Sequence, residues 1–361
     1  MKKSKKVLLI GPFPDPISGV SLANKIVRDL LKKEESFDVS FINTSNPNFS
    51  EDLGSFSLKK MFFYLKLNFN LYKVFKNNII YITPGQTFFG IIKYSVFILL
   101  SKFLRKELII HVHGNHLIDC YHNLQGIKKR VFKNLVSKFS KGIVLSESLK
   151  RNLSPFIKDE KIFILYNFAE DYLKIGETKK EFEKVKLVFL SNLMQEKGIL
   201  FLLDALKKLE ENKINYEAKI AGNIDENLKN IIVKKLNKLN HTEYIGVVNG
   251  NNKKELLLWS NTFILPTFYK MEGQPISILE ALASQNYIIT TKHAGITDII
   301  DQNIHGKFVE QQSIESIYKA VSDLSLNLNE LKEIAQNNST YFQQKFSLDL
   351  FKENFIKILN A

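Results

Sequence analysis

Short runs of apolar and β-branched residues alternate with helical patterns along the whole chain, and this alternation constrains the fold more than any other feature. Many runs are apolar at consecutive positions, as expected for parallel strands that are buried on both faces. The predicted strands are residues 7–11, 39–43, 79–83, 108–113, 142–146, 162–166, 186–191, 218–221, 244–247, 262–265 and 287–290. Helical patterns fill the gaps, as in residues 198–210, 226–239 and 275–283, so the sequence predicts βαβ units.

A chain of 361 residues is too long for one compact core and long enough for two domains of ordinary size. The alternation breaks at a polar, charged stretch after the sixth predicted strand. We therefore predict an α/β protein with two Rossmann-like, doubly wound domains that face each other across a cleft, with ligands beyond the carboxyl ends of the strands. The predicted parts are an N-terminal domain (1–168), a linker (169–185), a C-terminal domain (186–345) and a last helix (346–361) that packs back on the first domain.

The formal net charge of +14 favours anionic partners, such as nucleic acid, anionic lipid or phosphorylated substrates. The charge is uneven, because residues 55–106 contain nine Lys or Arg and no Asp or Glu. This stretch is also rich in aromatic and aliphatic residues, which indicates either buried helix faces or a surface that touches an anionic membrane. Within it, residues 88–104 are barely long enough to span a membrane and include two lysines. They lie between two predicted strands of the first sheet, where a crossover helix is needed.

The cysteine content and the N-terminal sequence both point to a reducing compartment. Cys120 is the single cysteine, so no internal disulfide can form. The lysine-rich N-terminal residues are followed by only five apolar or small residues before Pro12, which does not resemble a signal peptide. The sequence therefore predicts a cytoplasmic protein.

A glycine-containing loop follows the first predicted strand, from Gly11 to Val20, and opens a helix. Gly19 permits close approach of the backbone to a ligand, and the helix start favours an anion. The loop matches neither the dinucleotide-binding glycine pattern nor a Walker loop, and by itself an ordinary turn is an equally good interpretation.

Two histidines lie at the carboxyl end of the fourth predicted strand. His111 and His113 share one face of the strand, so a metal pair completed by His116 or Asp119 is one interpretation. The interpretation that we favour has one buried histidine and places His113, nearer the strand end, in the cleft.

The strand–loop–helix segment of residues 191–198 contains Asn192 and Lys197. Lys197 lies at the mouth of the second predicted sheet, where a lysine supplies a point charge for a diphosphate. A solvated loop lysine is the alternative interpretation.

The most specific motif spans residues 266–283. Glu272 and Gly273 lie in the loop after a strand, and Gln274-Pro275-Ile276 begins a helix whose first N–H groups can hold a phosphate. Glu280 falls more than one turn inside this helix among apolar residues, where a carboxylate needs hydrogen-bond donors. The paired hydroxyls of a ribose would supply them.

Taken in order along the chain, these motifs resemble the retaining GT-B glycosyltransferases of family 4, the glycosyltransferase group 1 domain. Glu272 and Glu280 are similar to the E-x7-E pair of that family, and residues 191–198 to its G-R-x-x-x-x-K-G loop. The other matching blocks are Gly19-Val20, His113-Gly114, Ser146-Glu147, Asn167, residues 293–298 and residues 305–309.

The resemblance implies a role for each matched residue. Glu280 would bind the donor ribose hydroxyls, Glu272 would contact the sugar hydroxyls, and Lys197 would neutralise the leaving diphosphate. His113 would line the acceptor side, on the N-terminal domain, with the nucleotide sugar on the C-terminal one. The remaining donor-binding residues would be Gly19, Asn192, Gly273, Gln274, Pro275 and Ile276.

A clear departure from the family pattern is Asn192, which stands where the family has arginine. The resemblance implies a reaction without metal or cofactor, since the nucleotide sugar is a substrate, and no Asp-X-Asp motif occurs in the chain.

The function expected from these features is a retaining glycosyltransferase of hexosyltransferase type. It would use a nucleotide-sugar donor, with UDP favoured, and a cell-surface polysaccharide or glycolipid acceptor, on the inner face of the cell membrane. A nucleotide-sugar epimerase on a similar scaffold and a basic nucleic-acid-binding protein are the alternatives, and no established nucleic-acid motif accompanies the second.

Overall fold

Every one of the eleven predicted strands is present, and the strands build two parallel sheets. The structure is a computed structural model that describes residues 4–15, 18–45, 58–173 and 180–361. The chain divides into a first unit, Met1–Tyr166 with Lys352–Ala361, and a second unit, Asn167–Phe351. Parts of three predicted segments lie outside the described residues, namely residues 16–17 of the glycine loop, 55–57 of the basic stretch and 174–179 of the linker.

The first unit contains a six-stranded parallel sheet in the order β2-β1-β3-β4-β5-β6. Its strands are β1 (Lys5–Gly11), β2 (Phe37–Asn43), β3 (Ile79–Ile82), β4 (Glu107–Val112), β5 (Lys141–Val144) and β6 (Ile162–Ile164). Its helices are α1 (Gly19–Lys32), α2 (Leu58–Leu67), α3 (Tyr72–Lys76), α4 (Phe88–Ile92), α5 (Ser95–Phe103), α6 (Leu117–Asn123) and α7 (Gly126–Val136). The central strands β3 and β5 are buried along their whole length, as the consecutive apolar pattern predicts.

The second unit also contains a six-stranded parallel sheet, in the order β12-β11-β10-β7-β8-β9. Its strands are β7 (Val185–Leu190), β8 (Tyr216–Ala221), β9 (Thr242–Gly246), β10 (Thr262–Leu265), β11 (Tyr287–Thr291) and β12 (Gly306–Val309). Its helices are α8 (Ile199–Glu211), α9 (Lys229–Leu236), α10 (Gly250–Trp259), α11 (Ile276–Ala283), α12 (Ile314–Leu326) and α13 (Leu328–Lys345). The edge strand β12 is the one strand here that the sequence pattern did not predict; it is only four residues long.

The stretch 88–104 differs from the single crossover helix expected there. It forms α4 and α5, with Lys93 and Tyr94 at the junction between them. Among the described residues, no helix combines the length and apolar character that crossing a membrane requires.

The last helix, α14 (Leu348–Asn360), contributes its residues from Lys352 onward to the first unit. The Phe355 ring lies edge-on to the Tyr81 ring of β3, with centroids 5.6 Å apart. Two lysines donate to the last carbonyls of the helix: Lys5 Nζ to Leu359 O and Lys141 Nζ to Ile358 O, each at 3.2 Å. Cations at a helix C-terminus satisfy unpaired carbonyls and oppose the negative end of the helix dipole.

Because Phe355 is 1% exposed and packs on a central strand, Phe355→Ala should lower the free energy of unfolding by about 3–5 kcal/mol. Urea denaturation measures the change. Leu326→Ala is the matched control, since that side chain is 81% exposed and should change stability little. Equal stability of the two variants would contradict a core role for Phe355.

Candidate active site

The loop that carries Lys197 is fixed by close backbone packing. It leaves β7, forms a short 3-10 turn over Gln195–Lys197, and enters α8 through Gly198. Gly198 has φ +82°, and a Cβ atom there would lie 2.3 Å from the carbonyl oxygen of Pro266. Only glycine fits this position, so the lysine loop is held against the loop that follows β10.

Lys197 and Glu272 form an ion pair, with Lys197 Nζ 2.6 Å from Glu272 Oε2. The two side chains are only 14% and 9% exposed. Thr267 Oγ1 also donates to Glu272 Oε2 at 3.2 Å, and the Lys197 ammonium lies 5.1 Å from the centre of the Tyr269 ring. The two buried charges stabilise each other, because removal of either side chain would leave the other charge buried and unpaired.

Contacts with two neighbouring loops hold the Glu272 loop in place. Phe268 N–H donates to Glu196 O at 2.8 Å, which ties this loop to the lysine loop. Gly295 N–H donates to Gly273 O at 3.0 Å, and a ring nitrogen of His293 lies 2.7 Å from Tyr269 O. The acidic loop is therefore preorganised.

Asn167 fixes the start of α11 through two hydrogen bonds to Gln274. The Asn167 backbone N–H donates to Gln274 Oε1 at 2.5 Å, and Asn167 Nδ2 donates to the Gln274 carbonyl at 2.9 Å. Pro275 is the N-cap residue, and it makes no side-chain cap hydrogen bond to the helix that begins at Ile276. A helix start of this kind presents N–H groups and the positive end of a dipole to an anion.

Glu280 is buried, at 4% exposure, on the fifth residue of α11. Lys253 of α10 donates to Glu280 Oε1 at 2.5 Å, a pairing that the sequence pattern does not reveal. Lys253 also hydrogen-bonds the hydroxyl of Tyr172. Burial raises the pKa of Glu280, and Lys253 opposes this rise without cancelling it, so the pKa stays above its usual value. Burial lowers the pKa of Lys253, but Glu280 and Tyr172 outweigh it and raise this pKa above its usual value.

Asn192 lies at the end of β7 and is exposed. Its backbone oxygen accepts the N–H of Met194 at 2.9 Å, which shapes the turn toward Lys197. Lys270, in the Glu272 loop, is exposed as well. The structure thus brings Lys197 together with Glu272, and Glu280 together with Lys253.

Gly19 belongs to the first unit, where it begins α1. Ser18 caps this helix through a reciprocal pair of hydrogen bonds with Ser21. Asn24 Nδ2, one turn further, donates to Pro12 O at 2.8 Å and so fixes the described beginning of the glycine loop.

His113 follows β4 in the first unit and is half-buried, whereas His111 is 1% exposed. The two rings lie 3.9 Å apart, and the Tyr81 hydroxyl is 2.5 Å from His111 Nδ1. Burial lowers the pKa of His113 to about 4, so its imidazole is neutral at neutral pH. Within the described part of the chain, no cluster of three or more His, Cys, Asp or Glu is arranged to hold a metal.

An open pocket of about 590 Å³ in the first unit contains none of the residues predicted to bind the donor or to act in catalysis. Its Arg151 is engaged by Asn115 Oδ1, at 2.9 Å and 3.1 Å, and lies 3.9 Å from Asp119. The residues that line it are Ile118, Asp119, His122, Glu147, Ser148, Arg151, Ser154 and Pro155.

Residues 174–340 match the model of a family described as glycosyl transferases group 1. This range lies within the second unit and includes Lys197, Glu272 and Glu280. This part of the second unit is therefore similar to a glycosyltransferase group 1 domain. The predicted class of enzyme, a glycosyltransferase, is thereby confirmed.

Known proteins resemble the chain beyond this domain. An uncharacterized glycosyltransferase of Methanocaldococcus jannaschii is 22% identical, with 100% of both chains covered. The Bacillus subtilis glycosyltransferase TuaC, named for teichuronic acid biosynthesis, is 24% identical over 62% of this chain and 56% of its own length. The crystal structure of Anabaena HepE in complex with UDP superimposes with a TM-score of 0.74 at 15% identity, covering 98% of this chain and 99% of that one. This likeness confirms the predicted fold class, two Rossmann-like α/β domains of the GT-B type. The roles of individual site residues stay predictions.

Glu280→Ala should weaken the binding of UDP by about tenfold or more, because hydrogen bonds to a charged group are worth about 1.5–3 kcal/mol. Calorimetry on the purified proteins measures the affinity. Glu255→Ala, which removes an exposed carboxylate from α10, is the control that should leave the affinity unchanged. Wild-type affinity in the Glu280 variant would exclude this carboxylate from the site.

Proposed function

We propose that the chain is a retaining, metal-independent glycosyltransferase of family 4, of hexosyltransferase type, that uses no cofactor. It moves a sugar from a nucleotide sugar, with UDP-sugars favoured, to a cell-surface polysaccharide or glycolipid acceptor. The observation that carries the proposal is the buried Lys197–Glu272 pair just before the start of α11, inside the group 1 domain. The UDP in the HepE structure supports the choice of nucleotide, and the name of TuaC supports the class of acceptor.

In the proposed reaction, the bond between the anomeric carbon and the diphosphate oxygen breaks as the acceptor hydroxyl attacks on the same face of the sugar. The hydroxyl passes its proton to the departing diphosphate oxygen on that same face as the glycosidic bond forms. Negative charge grows on the departing diphosphate, and preorganised donors lower the barrier when they are aimed at that charge. The start of α11 and the Lys197 ammonium are the donors that we assign to this task.

The ion pair lets one lysine serve both the diphosphate and the sugar-binding carboxylate. An ammonium group has three N–H donors, and Glu272 takes one of them. The others are available to phosphate oxygens, while Glu272 stays compensated and can accept hydrogen bonds from sugar hydroxyls. Asn192 is neutral and stands where the family has arginine. Lys197 is therefore the residue of this loop that supplies a positive charge to the diphosphate.

His113 is assigned to the acceptor side. Its lowered pKa, about 4, keeps the imidazole neutral, so it can donate or accept one hydrogen bond with an acceptor hydroxyl without adding charge. Beneath it, the Tyr81 hydroxyl bonds to His111, whose ring lies against that of His113.

We also propose that an anionic membrane binds the basic aromatic surface, defined as residues 62–106 of the first unit. Half of the large apolar side chains that are exposed in the described chain belong to it. In and after α2, Phe62, Leu65, Lys66 and Phe69 follow helical spacing and share one face. The exposed apolar members are Phe62, Leu65, Phe69, Tyr72, Phe75, Phe89, Val96, Leu99 and Phe103.

Contacts join the part of the basic aromatic surface that precedes β3 to the part that follows it. Lys93 Nζ lies 3.3 Å from the Tyr64 hydroxyl, and Lys106 Nζ lies 3.3 Å from Phe75 O. Exposed cations accompany the aromatic rings, and no acidic residue interrupts the stretch. Each cation near an anionic membrane is worth about 1 kcal/mol, and inserted aromatic side chains add to this. Such a surface would bring the enzyme to a lipid-linked acceptor on the inner face of the membrane.

Lys197→Ala should slow sugar transfer at saturating donor by roughly 100-fold or more, the loss typical of one removed oxyanion donor. Donor affinity should fall less, because the diphosphate charge grows as the sugar departs. The assay follows release of UDP from UDP-sugars with and without glycan acceptors. Lys270→Ala removes an exposed lysine from the Glu272 loop and serves as the control.

A Lys197→Ala rate within about threefold of wild type would show that another cation stabilises the leaving group, since threefold is less than about 1 kcal/mol of barrier. Conversion of the UDP-sugar without any separate acceptor would favour the epimerase alternative.

Phe69→Ser combined with Phe103→Ser should weaken binding to anionic liposomes by about tenfold or more, because these two rings are the most exposed of the surface, at 83% and 82%. Sedimentation with liposomes at low salt measures the binding. Leu326→Ser, at an exposed site of the second unit, is the control. Equally weak sedimentation of the wild-type protein with neutral and anionic lipid would contradict the membrane proposal.

A further inference from the structure

Lys253 occupies a position that helix electrostatics disfavours. It is the fourth residue of α10, next to Lys254, and the first turn of this helix contains no acidic residue. A cation near a helix N-terminus opposes the positive end of the dipole. Residues that break a local rule of this kind are found mainly at functional sites.

The compensation for Lys253 comes from another helix. Its ammonium is held between Glu280 Oε1 of α11 and the Tyr172 hydroxyl of the 3-10 turn Asp171–Leu173. The side chains of Lys253 and Glu280 are only 14% and 6% exposed. The ammonium is therefore placed to neutralise one particular carboxylate.

The protonation state of the Glu280 carboxylate decides how well it binds paired hydroxyls. An ionised carboxylate accepts at both oxygens, whereas a protonated one has lost part of its acceptor capacity to a proton. Among the hydrogen bonds of the described residues, Glu280 accepts one at Oε1, from Lys253. Oε2 and the remaining lone pair of Oε1 are left for a ribose. The burial that shields Glu280 from water favours its protonated form.

We propose that Lys253 is a positioning residue for the donor: it holds Glu280 ionised and oriented so that this carboxylate accepts hydrogen bonds from the ribose hydroxyls. The inference rests on the proposed function, because it takes Glu280 as the ribose-binding carboxylate. It adds a residue that the family motif does not contain and that belongs to a different helix.

Three groups face Glu280 and set its titration. Burial has the largest effect on the pKa of Glu280 and raises it; Lys253 lowers this pKa, and Glu170, which precedes the 3-10 turn, raises it. Tyr172, on that turn, is coupled to both Lys253 and Glu280. Without Lys253, burial and Glu170 act unopposed, so the pKa of Glu280 rises and the carboxylate binds a proton at higher pH.

The test compares Lys253→Met, Lys253→Arg and the matched control Lys254→Met, which removes the neighbouring positive charge of the same helix. Calorimetry gives the affinity of each protein for UDP and for 2′,3′-dideoxy-UDP, which lacks both ribose hydroxyls. The measurements run from about pH 6 to about pH 9, because a fully buried glutamate can reach a pKa of about 8–9. Thermal melting establishes that each variant is folded.

We expect Lys253→Met to bind UDP about tenfold more weakly than wild type at neutral pH, from the weakening of two charge-assisted hydrogen bonds. Its affinity should recover as pH rises and Glu280 ionises, so the midpoint of the pH dependence moves to higher pH. Lys253→Arg should restore most of the affinity. Dideoxy-UDP should bind wild type and Lys253→Met alike, and Lys254→Met should match wild type with both ligands.

An equal loss of affinity for UDP and dideoxy-UDP in Lys253→Met would overturn the inference, since the lysine would then act on the diphosphate or base directly. An unshifted pH midpoint would overturn it as well. If Lys253→Met does not fold, Lys253→Arg and the double variant Glu280→Gln with Lys253→Met decide, because loss of Glu280 should abolish the pH dependence. A wild-type protein whose melting temperature is raised by none of UDP, GDP and ADP would instead overturn the proposed function, and this inference with it.

Discussion

Each sheet of this chain is wholly parallel, and this single constraint determines where polar chemistry can be placed. Parallel strands end at a common edge, and both faces of the sheet are covered by helices, so the loops at that edge are where polar groups can gather. In the second unit, the loops after β7 and β10 therefore meet. Gly198 makes their contact close, because its missing side chain admits the carbonyl oxygen of Pro266. The Lys197–Glu272 pair follows from that backbone contact.

Much of the architecture was predictable from the sequence because the strands are buried on both faces. Residues 79–82 are hydrophobic throughout, and residues 263–265 are hydrophobic after the buried, β-branched Thr262, a pattern that favours buried strands. The edge strand β12 gives a weaker signal, since it has a neighbour on one side only and Lys307 interrupts its apolar residues. The break between α4 and α5 was also missed, because residues 88–104 are apolar on both sides of Lys93.

Glu280 was found because a glutamate among apolar residues contradicts its surroundings and so stands out in a sequence, whereas Glu272 was assigned through its resemblance to the E-x7-E motif. Their partners were harder to predict. Lys253 and Glu280 are 27 positions apart on two helices, and only the tertiary fold brings them together. The pairing of Lys197 with Glu272 was equally invisible, although both residues had been assigned to the site. A faint signal did exist in Lys253 and Lys254, two cations near the start of a helix whose first turn contains no acidic residue.

The membership of residues 352–361 in the first unit bears on how the protein folds during synthesis. A ribosome makes all six strands of the first sheet, then the entire second unit, and only afterwards Phe355 and the carbonyls that Lys5 and Lys141 bind. Domains generally fold as units while the chain emerges, N-terminal ones first. Here the first unit lacks the Phe355 side chain beside Tyr81 until the last residues are made. The second unit, whose residues are contiguous, can complete its core before the first does.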